Sequence, residues 1–487
     1  MKVMIAFLAN TIANFVIGLL VAKYLGPEEY GRFAIAFAIV GFVQVALFDW
    51  LRLSATRFYS AKVRENQPVV RASLDLCFGL IALGLFLATA LFALFGPKLD
   101  FDSTLILLAL IAAAVNGLFD YSTALVRARF DDRLYGRLVL VKNILSLALT
   151  GGGAFLFHSA AVALGGAIAS LLGTVIAARA ALTDQEAKRS HARRHMAATL
   201  AAYSAPIVAA HLVYQAIPLA TRSVVAGVYD FAETGQFALA FDLGMRAVLA
   251  LGSALDVLLF QIAVAAHENH GDDEGRWQVG RNMAVVFTFL LPACVGVHLV
   301  MPSVELLIVP SQYRGPFGHY LDIQLPGLFS MGMILFGVNP VFQIAKKTAP
   351  MVAAALVAAF AGLTLLEVLP WGKDASSLAR VQCGAYVAAL AATLVYAARE
   401  KPIWPRLRDI AGCIAATLGM MAALRPLQGM APGIFTLIAQ VVVGAAAFGA
   451  LTLLFDTAEL RSEFVAWARR RRALQAAPAE QSEAAPD

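Results

Sequence analysis

Arg246 has the clearest chemical potential of the side chains in this sequence, because it lies deep inside an apolar segment. It follows Gln236, where that segment begins, by ten residues, which in a helix is roughly 15 Å into an apolar layer of about 30 Å. An ionised side chain at that depth costs about 2.5–3.5 kcal/mol, so it indicates a functional site. A guanidinium at such a site suits an anion, and it binds phosphate through paired hydrogen bonds.

Two carboxylates share the helical face of Arg246. Asp242 precedes it by four residues, a spacing that permits a buried ion pair, and Asp256 follows Asp242 by almost four full turns. Either Asp242 and Arg246 neutralise each other, or the three groups line a water-filled cavity. Three ionisable groups on one face favour the cavity.

Three further arginines are candidates for binding the same kind of anion. Arg52 follows Asp49 by three residues in the second apolar segment, where snorkelling or a local ion pair is the alternative. Arg57 lies at the predicted interface, and Arg222 at the outer end of the seventh segment either catches an anionic headgroup or caps the span. The expected anion-binding residues are therefore Arg246, Arg52, Arg57 and Arg222.

Amide and carboxylate side chains are candidates for a polar path beside these cations. Asn10 and Asn14 share one face of the first segment, as Asn116, Asp120 and Thr123 share one face of the fourth. Hydrogen bonds between helices are the alternative for these residues. The expected lining of the path, or the site of ion coupling, comprises Asn10, Asn14, Asp49, Asn116, Asp120, Asp242 and Asp256.

The sequence contains no pattern typical of a catalytic, cofactor or metal site. It has no G-x-x-x-x-G-K-[ST] loop, no H-E-x-x-H and no Ser/His/Asp arrangement, and its four cysteines form no C-x-x-C. The histidine pairs 191/195 and 267/270 fall in polar connections, where solvated loop histidines are favoured. We therefore expect a protein that is not an enzyme, with no cofactor and no metal.

The elements that must position these residues are membrane-spanning helices. The chain is 60% hydrophobic and 14% charged, whereas soluble proteins have about 45–50% and about 25%. We therefore predict an all-α polytopic membrane protein. About fourteen spans are expected, near residues 4–22, 33–54, 74–95, 104–126, 138–157, 160–181, 199–221, 236–265, 282–300, 321–344, 350–370, 378–398, 409–425 and 433–455.

The distribution of positive charge supports this topology, because cytoplasmic connections hold the excess of Lys and Arg. The termini and even-numbered connections hold 28 of the 38 Lys and Arg, the odd-numbered connections hold 8, and Arg52 and Arg246 remain within spans. Both termini are therefore expected in the cytoplasm, and the first segment is expected to be a retained helix rather than a signal peptide. The same rule accounts for the net charge of +6 without a nucleic-acid partner.

A seven-residue motif occurs twice. Gly31 to Phe37 reads GRFAIAF, and Gly235 to Phe241 reads GQFALAF, at the starts of the second and eighth spans. The same offset aligns Glu29 with Glu233. Because the copies lie six spans apart, we predict a parallel duplication of two six-helix bundles around a central path. The expected domains are the N-terminal bundle (1–182), a cytoplasmic linker (183–198), the C-terminal bundle (199–398), two additional spans (409–456) and a basic, then disordered tail (457–487) that includes Arg469–Arg472.

Several segments resemble the polysaccharide transport family, the bacterial oligosaccharide and O-antigen flippases of the multidrug/oligosaccharidyl-lipid/polysaccharide exporter superfamily. The resemblance covers residues 1 to about 400, and its motifs are LGPEEYGRF (25–33), the stretch from Phe48-Asp49-Trp50 to Arg57-Phe58, NPVF (339–342) with Lys346-Lys347, and LPWG (369–372).

The resemblance implies a flippase that carries a polyprenyl-diphosphate-linked oligosaccharide from the cytoplasmic to the periplasmic leaflet of the inner membrane. It would serve exopolysaccharide, capsule or O-antigen synthesis by alternating access through a cationic cavity. Arg246, with Arg52 or Arg57 nearer the entrance, would receive the diphosphate. The implied partners are the lipid-linked oligosaccharide, membrane lipids, a polysaccharide polymerase and a chain-length regulator.

Three other functions remain alternatives. A lipid II-type flippase or a multidrug extruder would belong to the same superfamily. A membrane polysaccharide polymerase or glycosyltransferase would be an enzyme, but it would normally display a large extracytoplasmic loop, and the odd-numbered connections here are short.

Overall fold

The chain folds into long helices joined by short connections. The structure, a computed structural model, describes residues 2–96, 101–184, 186–345, 347–400, 402–459 and 461–462. Its α-helices are α1 (Lys2–Leu47), α2 (Asp49–Phe58), α3 (Ala61–Asn66), α4 (Pro68–Phe95), α5 (Ser103–Ala128), α6 (Asp132–Ser146), α7 (Gly152–Phe157), α8 (Ala160–Ala177), α9 (Arg179–Leu182), α10 (Arg194–Val228), α11 (Phe231–His270), α12 (Asp272–Leu307), α13 (Pro316–Gly332), α14 (Asn339–Ile344), α15 (Ala349–Val368), α16 (Ser376–Arg399), α17 (Leu407–Leu424) and α18 (Ile434–Phe455). The predicted all-α class is confirmed, since the described residues contain no strand.

Thirteen helical runs among the described residues are long and apolar enough to cross a membrane. The first of them, Ala9–Leu47, is broken at Gly26, whose φ of 75° lies in the left-handed region that glycine tolerates. Pro27 follows and has no N–H to continue the hydrogen-bond ladder. The break falls between the first two predicted spans, so these runs account for the expected fourteen. The chain is a multi-pass membrane protein.

The second predicted span ends earlier than expected. Its helix stops at Leu47, and the ten residues Asp49–Phe58 form the separate helix α2. Phe48 lies between them with its side chain buried. The composition of α2 explains the break, because Asp, Arg, Ser and Thr are frequent in it. Asp49 and Arg52 therefore lie on α2, a helix separate from the apolar helix that ends at Leu47.

The helices α10 to α12 extend beyond their predicted spans. His267 and His270 lie in the last turn of α11, and His195 lies in the first turn of α10. The prediction that these histidines sit in loops was wrong, because the helical pattern continues into the polar connections. Within the described part of the chain, no group of three or more His, Cys, Asp or Glu is arranged to hold a metal ion.

The residues form two compact units by their contacts. The first comprises Met1–Ala254 and Ile308–Lys401, in which α1 packs on α5, α6, α8 and α10, and α16 packs on α13 and α15. The second comprises Leu255–Leu307 and Pro402–Asp487, in which α12, α17 and α18 pack together. The predicted domains follow the sequence repeat rather than this grouping and stay a prediction. The predicted basic segment Arg469–Arg472 lies outside the described residues.

The two copies of the repeat meet each other in the first unit. A Cβ on Gly31 would collide with the carbonyl oxygen of Phe231, and a Cβ on Gly235 would collide with the carbonyl oxygen of Pro27. The copies therefore cross at two glycines that allow the backbones to touch.

The aligned glutamates of the repeat make matching contacts. Glu29 Oε2 accepts a hydrogen bond from the Ala160 N–H at 2.8 Å, and Glu233 Oε1 accepts one from the Ala375 N–H at 3.0 Å. Each carboxylate thus lies at the N-terminus of the last long helix of its predicted bundle, α8 or α16, where the helix dipole favours negative charge. The duplication stays a prediction, with which these two contacts agree.

Candidate functional site

The first unit contains an open cavity of about 830 Å³ lined in part by polar and cationic side chains. It lies among α1, α2, α5, α6, α8, α10 and α11, with contributions from Thr150, Met331, Leu335 and Tyr386. Its polar lining includes Asn10, Asn14, Asp49, Arg52, Thr56, Asn116, Asp120, Thr123, Arg127, Lys142, Ser146, His211, Gln215 and Arg246. Six of the predicted site residues besides Arg246 are thus brought to one cavity: Arg52, Asn10, Asn14, Asp49, Asn116 and Asp120.

Arg246 reaches from α11 to the first segment of α1. Its Nη1 donates a hydrogen bond to the carbonyl oxygen of Asn14 at 2.6 Å. Gly18, one turn further along α1, makes this approach possible, since a Cβ there would collide with the guanidinium of Arg246. The guanidinium is therefore held by a neutral backbone oxygen inside the cavity.

Lys142 of α6 reaches the same segment of α1. Its Nζ donates hydrogen bonds to Asn10 Oδ1 at 3.0 Å and to Asn14 Oδ1 at 2.8 Å. Sequence reasoning missed this residue, because Lys142 was grouped with the positive charges of the preceding cytoplasmic connection. The signal was present: Lys142 falls within the predicted span 138–157, and Asn10 and Asn14 offer two acceptors on one helical face.

Arg52 is neutralised by its neighbour on α2. Its Nε lies 2.5 Å from Asp49 Oδ1, and the buried Asp49 also has its Oδ2 3.4 Å from His211 Nδ1. The local ion pair considered from the i,i+3 spacing is therefore present, and Arg52 lines the cavity as part of it.

Asp120 and Asn116 of α5 face the cavity with different partners. Gln44 Nε2 donates to Asp120 Oδ2 at 2.7 Å, which links the second segment of α1 to α5. Asn116 Nδ2 donates to the Ala112 carbonyl oxygen of its own helix at 3.0 Å. Asp120 thus joins two helices, whereas Asn116 remains available to the cavity through its side-chain oxygen.

The pairing of Asp242 with Arg246, which was the alternative to a shared cavity, does not occur in this structure. Asp242 forms its ion pair with the buried Arg222 of α10, and Arg222 Nη1 also donates to the Ala34 carbonyl oxygen at 3.0 Å. The spacing along α11 permits the predicted pair, but the two side chains reach different neighbouring helices. Asp242 and Arg222 are therefore absent from the described cavity lining.

Arg57 and Asp256 also lie away from the described cavity lining. Arg57 is exposed at the end of α2. Asp256 follows the point on α11 where the second compact unit begins. Of the three ionisable groups predicted to share one face of α11, only Arg246 lines the described cavity.

The described lining of the cavity has a positive charge balance. Its cations are Arg52, Arg127, Lys142 and Arg246, and its carboxylates are Asp49 and Asp120. Four cations against two carboxylates leave a formal charge of +2 when His211 is neutral. Such a cavity attracts anions and disfavours cations.

Solved structures with the same fold are flippases and transporters. A lipid II flippase, MurJ, in an inward closed conformation matches with a TM-score of 0.64 and 16% identity over 93% of this chain and 98% of that chain. A MOP-superfamily transporter from Pyrococcus furiosus, described as having a binding pocket of reverse polarity, matches with a TM-score of 0.56 and 14% identity over 82% and 96%. A MATE transporter in complex with MaD5 matches with a TM-score of 0.54 and 15% identity over 82% and 93%. The fold of this chain is therefore the one that these flippases and transporters share.

The sequence itself defines the family. A family profile described as "Polysaccharide biosynthesis protein" matches residues 20–315, which is more than half of the 487 residues. The chain belongs to this family of polysaccharide biosynthesis proteins. No curated protein is similar enough to count as a match.

Proposed function

We propose that the protein is a flippase that moves a polyprenyl-diphosphate-linked oligosaccharide from the cytoplasmic to the periplasmic leaflet of the bacterial inner membrane. The observation that carries this proposal is the cavity of about 830 Å³ with Arg246 at predicted membrane depth and a formal charge of +2. A diphosphate diester carries two negative charges, so the substrate and the cavity are complementary in charge. Membership of the polysaccharide biosynthesis family supports a substrate that is a precursor of a polysaccharide.

The polar lining suits a carbohydrate attached to the diphosphate. Sugar hydroxyls both donate and accept hydrogen bonds, and Asn10, Asn14 and Asn116 offer amide groups that do the same. The aromatic residues Tyr30 and Tyr386 add rings to the lining. We assign these groups to the sugar path and Arg246 to the diphosphate.

The other predicted cations take different roles in this proposal. Arg52, paired with Asp49, lies on α2 nearer the cytoplasmic side of the topology and meets the diphosphate on its way in. The buried Arg222 and the half-buried Asp242 form an ion pair that holds α10 to α11. The exposed Arg57 contacts lipid headgroups rather than the transported diphosphate.

Transport then proceeds by alternating access. The two repeated bundles change their relative orientation, so that the cavity opens first to the cytoplasmic leaflet and then to the periplasmic leaflet. Both termini lie in the cytoplasm, and a polymerase with its chain-length regulator receives the product outside. A multidrug extruder is a weaker alternative, because a cavity with a formal charge of +2 repels cationic drugs.

A lipid II-type flippase would use the same chemistry, since its substrate also joins a sugar to a polyprenyl diphosphate. Deletion of the gene distinguishes the two. We expect viable cells that lack a surface polysaccharide, whereas loss of viability on depletion would favour the lipid II substrate.

The proposal is tested by comparing Arg246→Ala with Arg246→Lys for surface polysaccharide output in a deletion strain. We expect Arg246→Ala to lower output at least about tenfold, because it removes a charge-assisted hydrogen bond to phosphate. Arg246→Lys should retain part of the output. The exposed Lys62→Ala is the matched control, and immunoblots of membranes verify equal amounts of protein. Wild-type output from Arg246→Ala would refute the assignment.

A further inference from the structure

The cations of the cavity differ in what neutralises them. Arg52 lies 2.5 Å from the carboxylate of Asp49. Lys142 and Arg246, by contrast, donate to amide and backbone oxygens of Asn10 and Asn14, and neither forms a salt bridge within the described part of the chain. Their hydrogen bonds are satisfied by neutral oxygens, and Asp120 acts on Lys142 only from beyond ion-pair distance.

These two cations converge on one residue. Lys142 uses the side-chain oxygen of Asn14 and Arg246 uses its backbone oxygen, at 2.8 and 2.6 Å. Lys142 lies in the first predicted bundle and Arg246 in the second, and their contacts with the same residue, Asn14, bring the two positive charges near each other. Two like charges held side by side in a partly apolar cavity are unfavourable until an anion lies between them.

Each cation retains donors for such an anion. An ammonium has three N–H groups, of which the contacts to Asn10 and Asn14 use two. A guanidinium has five, of which the contact to the Asn14 carbonyl uses one. The remaining donors suffice for hydrogen bonds to two phosphate groups.

We propose that Lys142 is the second half of the diphosphate site: Arg246 binds one phosphate, Lys142 binds the other, and Asn14 holds both cations in place before the substrate arrives. This inference rests on the proposed function, since it concerns the same cavity and the same ligand. It assigns a binding role to a lysine that the sequence motifs do not mark. It also assigns Asn10 and Asn14 a positioning role in addition to their place in the sugar path.

The neutrality of Asn10 and Asn14 is the decisive feature. A carboxylate at either position would hold Lys142 more strongly, but it would cancel the charge that the diphosphate needs. The competing explanation is structural, with Lys142 serving as a distant counter-ion for the half-buried carboxylate of Asp120. Under that explanation an added carboxylate beside Lys142 would leave ligand binding unchanged.

The test measures binding of two probes, farnesyl diphosphate and farnesyl monophosphate, to the purified full-length protein in lipid nanodiscs by calorimetry. We expect Lys142→Gln to weaken binding of the diphosphate at least about tenfold and to weaken the monophosphate much less. The preference for diphosphate over monophosphate should therefore fall. Lys142→Arg should retain the preference, and Arg137→Gln, an exposed cation on the same helix α6, should behave as the wild type.

A second variant neutralises the charge of Lys142 without replacing the lysine. Asn14→Asp keeps the shape of the side chain and gives Lys142 an ionic partner, so we expect a protein of wild-type thermal stability or higher with a reduced preference for diphosphate. This variant decides the question even where Lys142→Gln fails to fold.

The outcomes separate this inference from the proposed function. Unchanged diphosphate preference in Lys142→Gln or in Asn14→Asp would overturn the role of Lys142 while leaving Arg246 in place. A wild-type protein that binds neither probe, or binds both equally, would overturn the diphosphate site and with it the proposed function.

Discussion

Two arginines have different roles in this protein because their guanidinium groups contact different kinds of oxygen atom. Arg246 contacts the backbone oxygen of Asn14 and keeps its charge available, whereas Arg222 contacts the carboxylate of Asp242 and is neutralised. The sequence predicted the depth of Arg246 from a simple count along a helix. It did not predict the partner of Asp242, because that partner comes from another helix twenty residues earlier.

Gly18 provides a direct residue-scale prediction. A Cβ at this position would collide with the guanidinium of Arg246, so Gly18→Ala should displace Arg246 from Asn14 and lower surface polysaccharide output several-fold. The assay is the same deletion strain, with membrane levels of the protein measured in parallel.

Gly79→Ala is the matched control for this prediction, because a Cβ on Gly79 of α4 would meet no atom within 4 Å. It should transport as the wild type does. Equal output from Gly18→Ala and Gly79→Ala would show that the position of Arg246 is not important for transport.

At the scale of elements, the predictable features are those encoded by local composition. The apolar stretches gave the spans, and α17 (Leu407–Leu424) and α18 (Ile434–Phe455) agree closely with the predicted 409–425 and 433–455. The break at Phe48 was not predicted, because an apolar run was extended through the polar residues of α2. Local composition does not predict helix packing either. The repeat identified both Gly31 and Gly235, but only the tertiary structure shows that they lie against each other.

The matching contacts of Glu29 and Glu233 predict equivalent effects in the two halves. Glu29→Gln and Glu233→Gln should each lower the free energy of unfolding by about 0.3–1 kcal/mol, because each keeps an acceptor oxygen but removes the negative charge at a helix N-terminus. Thermal unfolding of the purified protein in detergent measures this as a lower melting temperature.

Glu28→Gln is the control for that comparison, because Glu28 is exposed and forms an ion pair only on the surface, with Arg32. It should leave the melting temperature nearly unchanged. A large fall in melting temperature for only one of Glu29→Gln and Glu233→Gln would contradict the equivalence of the two halves.

At the scale of the whole molecule, composition and charge distribution were sufficient for the class and the number of spans. They were insufficient for the cavity, because a cavity is formed by residues that are distant in sequence, such as Asn10, Lys142 and Arg246. The sequence predicted two of these three as site residues from their depth and helical face. Lys142 was missed because its role depends on Asn10 and Asn14, which contact it across more than a hundred residues.

We propose that this molecule carries a lipid-linked oligosaccharide across the membrane. The most direct measurement labels glycans at the outer leaflet of spheroplasts with an impermeant reagent and quantifies the lipid-linked pool. The strains compared are the deletion strain, the strain complemented with the wild type and the strain complemented with Arg246→Gln. We predict labelled lipid-linked oligosaccharide with the wild type and an unlabelled cytoplasmic pool in the other two strains. An equal labelled pool in the deletion strain would contradict the claim.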